Sequence, residues 1–254
     1  MTQTSQQDLA ERVVLVTGAG SGLGRATSRL FAESGAHVLV TDRDLDAAKA
    51  TVELVRGDGG AGTAEAIHLD VTDRAQVDQV VGEAAASYGA RFDCLVNNAG
   101  TDRGADLVDV DDDQWHGVFG VNVDGPMYLS RAFVRHRQAL EGEEEAVADL
   151  VCVVSISALT VGAGAGAYNA SKAALLKLAE VMQTEARERA WPVRVSAINP
   201  AAMATPMMDQ WGLPPERMMD PRQVAGLIRF AITLPPESFL QSAVVALRNE
   251  YYPR

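Results

Sequence analysis

The sequence predicts an α/β protein: a doubly wound, mainly parallel, seven-stranded sheet with helices on both faces. Three observations carry that reading. Short apolar runs rich in Val and Leu alternate with longer amphipathic stretches along almost all of the 254 residues. The runs are apolar at consecutive positions, as strands buried on both faces are. The first run leads straight into a cluster of glycines and then into helical spacing. Right-handed crossovers between parallel strands distribute the helices over the two faces.

The elements follow in order. Residues 13–16 form the first run and residues 22–34 the first helix, with Leu23, Ala26, Leu30 and Phe31 on one side. Residues 37–41 form a second Val/Leu-rich strand that ends at Asp42. Residues 45–56 predict a helix, broken by Gly57-Asp58-Gly59-Gly60. A strand over 64–69, a helix over 75–88 and a strand over 92–96 come next. Residues 113–138 predict one long helix, disturbed at Gly125-Pro126. Runs at 150–155, 193–198 and 242–247, with helices at 167–189 and 222–233, complete the alternation.

Two stretches fall outside it. The acidic run at 141–145 reads as a solvated loop. Residues 205–220 hold Met207, Met208, Trp211, Met218 and Met219, which read as a flexible lid over an apolar pocket or as plain packing. Composition does not shift anywhere as it would at a linker. Residues 1–254 therefore read as a single domain with a lid at about 203–220.

Composition bounds the function. Lys plus Arg number 22 and Asp plus Glu 34, a net charge of −12. That field repels phosphate backbones and anionic lipid, so neither nucleic acid nor a membrane surface is expected as a partner. Cys94 and Cys152 sit in apolar runs and read as reduced core thiols. The first residues are polar, without a signal core, and no apolar run reaches membrane-spanning length; a cytoplasmic location is expected. His37, His68, His116 and His136 lack ligand spacing, so no metal is predicted.

The chemistry-bearing residues begin at Thr17-Gly18-Ala19-Gly20-Ser21-Gly22-Leu23-Gly24, with a helix expected to open at the last glycine. Such a turn between strand and helix offers free N–H groups and a positive dipole end to a pyrophosphate. It contains no lysine, unlike an ATP-binding turn. Asp42, at the end of the second strand, can accept hydrogen bonds from both hydroxyls of an adenosine ribose and would repel a 2′-phosphate. It favours NAD over NADP, a preference that Arg43 could soften. Asp70, followed by Val71, is a candidate contact to the adenine; the alternative is a helix cap. Tyr168 and Lys172 stand at i and i+4 of a helix start, where the ammonium is expected to lower the phenol pKa for proton transfer at an alcohol or carbonyl oxygen. Ser155 ends a strand 13 residues before Tyr168.

With these motifs the chain resembles the single-domain short-chain dehydrogenase/reductases. The resemblance spans nearly the whole sequence and includes Asn97-Asn98-Ala99-Gly100, Asn122, and Asn199-Pro200 with Thr205. It implies a Rossmann-type fold, Tyr168 as general acid/base, Lys172 as its partner and ribose ligand, and Ser155 as the group that polarises the substrate oxygen. It implies a water relay at Asn122, backbone from Pro200 to Met203 that orients the nicotinamide, a contact from Thr205 to the carboxamide or phosphate region, and an adenosine side lined by Asn97 and Ala99. Gly100 is counted there too, although with Asn98 it also reads as turn support. Ser157 is expected as a second pocket residue. Three departures stand out: Ser155-Ile156-Ser157 replaces the paired serine, Ala201 follows Pro200 where glycine is frequent, and the C-terminal tail is atypical.

The expectation is an NAD-dependent oxidoreductase of an apolar secondary alcohol or ketone, with Met207, Met208 and Trp211 against the substrate and a homo-oligomeric assembly. The alternatives are an NADPH-dependent 3-oxoacyl reductase and an NAD sensor without turnover. A sugar-nucleotide epimerase is rejected because too little chain follows Ile198 for a substrate domain.

Overall fold

A Val-rich strand has no polar face, so it must be covered on both sides. The computed structural model, which describes residues 9–140 and 147–248, meets that demand with one seven-stranded sheet. The elements are β1 (Val13–Thr17), α1 (Gly22–Glu33), β2 (His37–Asp42), α2 (Leu45–Asp58), β3 (Thr63–His68), α3 (Arg74–Tyr88), β4 (Phe92–Asn97), α4 (Asp112–Phe119) and α5 (Gly125–Gln138). They continue with β5 (Ala148–Val153), α6 (Gly166–Glu188), β6 (Val193–Pro200), α7 (Pro221–Ile232) and β7 (Ser242–Val245). The order across the sheet is β3-β2-β1-β4-β5-β6-β7, with every neighbouring pair parallel.

Alternation along each strand divides the core in two. Leu15, Leu39, Leu95, Leu150 and Val195 face α3, α5 and α6, where Val77, Phe133 and Leu175 meet them. Val14, Val16, Val38, Val96 and Ile198 face α1, α2 and α7, against Phe31, Val52 and Ile228. Cys94 lies in the second core and Cys152 in the first, both free and buried. The edge strands β3 and β7 keep exposed positions, because each has only one neighbour and partial cover.

Connectivity reverses between β1 and β4. The β1–α1 and β4–α4 connections leave the sheet on opposite sides there and open a crevice at the carboxyl ends of the strands. At the opposite ends a buried ion cluster fastens the sheet. Asp149 of β5 accepts from Arg12 at 2.8 Å and from Arg194 at 2.6 Å, and Arg12 also pairs with Asp93 at 2.9 Å. The guanidinium of Arg194 further donates to the carbonyls of Leu234, Pro235 and Ser238.

Four expectations shift. The first helix opens at Gly22, where the helical spacing starts, rather than at Gly24, the last glycine of the turn, with Ser21 as its N-cap. The strand expected over 150–155 spans Ala148–Val153, so Ser155 lies two residues past its end. The long helix breaks earlier than Gly125-Pro126: a π-helical turn, Gly120–Asp124, separates α4 from α5. Pro126 falls in the first turn of α5, where its missing N–H costs little, and a Cβ on Gly125 would lie 2.8 Å from Val71 Cγ2. Met219 belongs to the core, 2% exposed beside Val224 and Ile228. The acidic run at 141–145 and the tail from Asn249 lie outside the described residues.

Candidate active site

The residues at the carboxyl ends of β1, β2, β4, β5 and β6 line one cavity of about 1480 Å³. Gly18, Gly20, Ser21, Gly22 and Leu23 form one flank. Gly18 has φ +61°, and a Cβ there would lie 2.8 Å from Ala99 Cα. Thr17 ties this turn to the end of β4, accepting from the N–H of Asn98 at 3.0 Å and of Ala99 at 2.9 Å. A Cβ on Gly24 would sit 2.3 Å from the Gly18 carbonyl oxygen. Gly24 is thus required for close packing beneath the turn and does not line the cavity, a correction to its expected cofactor contact.

Asp42 is oriented by two backbone donors, Gly20 N–H and Asp44 N–H, each at 2.9 Å. The cap of α2 is Asp44, which leaves Asp42 to face the cavity beside Arg43. Asp70 accepts from Thr72, and Asp73, not Asp70, caps α3. Asp70 and Val71 line the cavity, as do Ala99 and Gly100.

Further along the cavity Ser155, Ser157, Tyr168 and Lys172 come together. Tyr168 and Lys172 share one face of the first turns of α6. The Lys172 ammonium donates to the Val153 carbonyl at 3.0 Å and stands 5.7 Å from the centre of the Tyr168 ring. Burial pushes the phenol up to about 12, and a hydrogen bond to Ser155 opposes that rise. Burial lowers Lys172 to about 8, against the pull of Cys152 and Asp102. The expected lowering of the tyrosine pKa by the lysine is therefore corrected: burial raises the phenol, and the opposing pull comes from Ser155 rather than from Lys172. The ammonium is directed at a backbone carbonyl rather than at the phenol.

This arrangement sets a turn shaped for a pyrophosphate and an acid suited to ribose hydroxyls in one crevice with a Ser-Tyr-Lys cluster. A model of the family described as short chain dehydrogenase matches residues 12–215. The chain belongs to the short-chain dehydrogenase family. It is 31% identical over 231 residues to the meso-2,3-butanediol dehydrogenase of Serratia marcescens, covering 86% of both chains. A solved putative short-chain dehydrogenase/reductase from Burkholderia xenovorans aligns with TM-score 0.83 and 31% identity, over 94% of this chain and 96% of that one. A putative NAD(P) dependent gluconate 5-dehydrogenase from Beutenbergia cavernae, solved with NADP at low occupancy, aligns with TM-score 0.81 and 31% identity, over 94% and 97%.

The short-chain dehydrogenases use NAD(P), and the residues present fit that group: Gly18, Gly20 and Gly22 bring backbone to the cavity edge, and the Asp42 carboxylate stands beside them. Two residues implied by the resemblance point elsewhere. Asn97 is buried and donates to Ser130 Oγ at 2.9 Å, while its neighbour Asn98 lines the cavity, since adjacent residues at a strand end face opposite sides. Asn122 is fully buried in the π turn and is not a lining residue. Its amide accepts from Thr101 N–H at 2.9 Å and donates to the Thr101 carbonyl and to Ser171 Oγ. The side chain clamps the chain after β4.

Pro200, Met203 and Thr205 line the cavity, and Thr205 covers Gly22, whose added Cβ would lie 3.1 Å from Thr205 Cγ2. A bridge between Met203 and Met219 pins the two ends of the following excursion. From it Met207, Met208 and Trp211 reach the cavity wall. Sequence reasoning missed Asp102, Leu159 and Val161, which also line it. An acid two residues beyond Gly100, at the carboxyl end of a central strand, was the signal available for Asp102.

Proposed function

We propose that the protein is an NAD-dependent oxidoreductase that interconverts a neutral secondary alcohol and its ketone. The observation that carries this reading is the convergence of Ser155, Tyr168 and Lys172 on the cavity that also holds the glycine turn and Asp42. A bound nicotinamide supplies the two-electron acceptor for the hydride leaving the carbinol carbon. In alcohol oxidation the Tyr168 oxygen takes the hydroxyl proton as the carbonyl forms. Before substrate binds, the single Ser155 hydroxyl proton is shared with the Tyr168 oxygen and favours the phenolate; with substrate bound the same proton turns to the substrate oxygen. The Lys172 ammonium, 5.7 Å from the centre of the phenol ring, would offer its remaining N–H donors to ribose hydroxyls.

The preference for NAD is supported by the Asp42 carboxylate, which two backbone N–H groups hold and which would repel a 2′-phosphate, with Asp44 close behind. Arg43 works against that preference. A neutral, weakly polar substrate is supported by Leu159, Val161, Met207, Met208, Trp211 and Leu213 on the walls. The butanediol dehydrogenase relative lends support for a small alcohol.

The test is kcat/KM with NAD and with NADP over a panel of secondary alcohols, vicinal diols and hydroxy acids. NAD is expected to win with neutral alcohols; a clear NADP preference refutes the Asp42 argument. Tyr168→Phe is expected to cut turnover about 10³-fold while nucleotide binding, followed by titration, persists. Activity surviving that change would remove the proposed acid/base.

A further inference from the structure

Three loops meet above the cavity, and one side chain occupies their junction. Ala105 donates to the Gly164 carbonyl at 2.8 Å, so the segment after β4 runs beside the segment before α6. The third participant is the helical turn Pro206–Trp211. The Trp211 indole lies against two glycines: a Cβ on Gly104 would be 3.1 Å from Trp211 Cη2, and one on Gly164 would be 3.8 Å from the same atom. Its Nε1–H donates to Asp102 Oδ2 at 3.0 Å. The neighbouring Gln210 ties the same two segments through its amide. Oε1 accepts from Gly104 N–H at 3.0 Å, and Nε2 donates to the Asp102 carbonyl at 3.2 Å. The ends of the excursion are pinned by Ala204 N–H to the Met219 carbonyl and Met219 N–H to the Ala202 carbonyl.

We propose that Asp102 is a positioning residue for the reaction: its carboxylate, with the Gln210 amide, latches the 206–211 turn to the 101–104 segment and so fixes the Trp211 indole as the far wall of the substrate site. The inference rests on the cavity being the alcohol site of the proposed function, and it deepens that reading by limiting the substrate to a compact alcohol held between the indole and Tyr168. Asp102 acts through Trp211. Three hydrogen bonds hold a turn that has no fully buried side chain of its own, so the wall depends on them.

The test compares the full-length wild type with Asp102→Ala, Asp102→Asn and Trp211→Phe. One readout is steady-state kinetics with butan-2-ol and with the bulkier 1-phenylpropan-1-ol. The other is the rate of tryptic cleavage after the exposed Arg217, which needs no turnover. Asp102→Ala is expected to raise KM for the compact alcohol at least fivefold, the loss falling on KM rather than kcat, and to narrow the preference for it. Cleavage after Arg217 should accelerate about tenfold in Asp102→Ala and Trp211→Phe. Asp102→Asn should recover most of both losses, because its amide oxygen still accepts from the indole. Cleavage and KM unchanged in Asp102→Ala, or Asp102→Asn as impaired as Asp102→Ala, overturns the latch. If the wild type oxidises no alcohol but cleavage follows the expected order, the latch stands and the alcohol reading fails.

Discussion

Tyr168 shows how opposing terms decide the state of one group. Its phenol lies against the cavity wall, and burial holds it near 12 despite Lys172 four residues on. The hydrogen bond from Ser155 favours the ionised form and so pulls the pKa down. Alcohol oxidation uses the phenolate as base, so its rate rises with pH until that group is ionised. Ser155→Ala removes a contact that stabilises the phenolate, which raises the pKa. The ascending limb of kcat/KM against pH is expected to move to higher pH in this variant, beyond any uniform loss of rate. A limb that stays in place, or moves to lower pH, contradicts the role assigned to Ser155.

At the scale of elements, the site depends on how closely β1 and its turn approach their neighbours. Gly24 faces inward in the first turn of α1, where a methyl group would meet the Gly18 carbonyl and Ala19 Cα, both backbone. Neither can swing away as a side chain could. Gly24→Ala is expected to cost about 1–3 kcal/mol of stability and to weaken nucleotide binding, read by denaturant melts and by titration. Unchanged binding would mean that the turn opens freely. The π turn at Gly120–Asp124 is a second such device. By widening the helix locally it carries the Asn122 amide toward both backbone groups of Thr101. The helical spacing of 113–138 was legible, but this local change was not, because a π turn preserves the apolar pattern on either side.

Across the whole molecule, the two ends of the sheet do different work. The carboxyl ends hold the cavity, with a buried ammonium that burial brings down to about 8. The amino ends hold Arg12, Asp93, Asp149 and Arg194, none of which lines the cavity. Asp149 is the common acceptor, and removing its charge leaves two guanidiniums short of a partner. Asp149→Asn is expected to destabilise the protein by about 3–5 kcal/mol, seen as a lower Tm, with kcat/KM of the folded fraction preserved at low temperature. An unchanged Tm would show that the backbone carbonyls around Arg194 suffice. No helix among the described residues is long and apolar enough to cross a membrane.

By itself the sequence determined the alternation of strand and helix, the glycine turn, the acid at the end of β2 and the Tyr168–Lys172 spacing. These are local in the chain: strand and helix periods, steric freedom at glycine and one turn of helix fix them. The tertiary structure alone decided which neighbour faces the cavity, with Asn98 turned toward it and Asn97 away. It decided that burial raises the Tyr168 phenol, with Ser155 as the group that opposes the rise, and that Asp102 meets Trp211 across 109 positions of sequence. Those outcomes depend on desolvation and on contacts between distant segments, neither of which a pattern along one chain expresses.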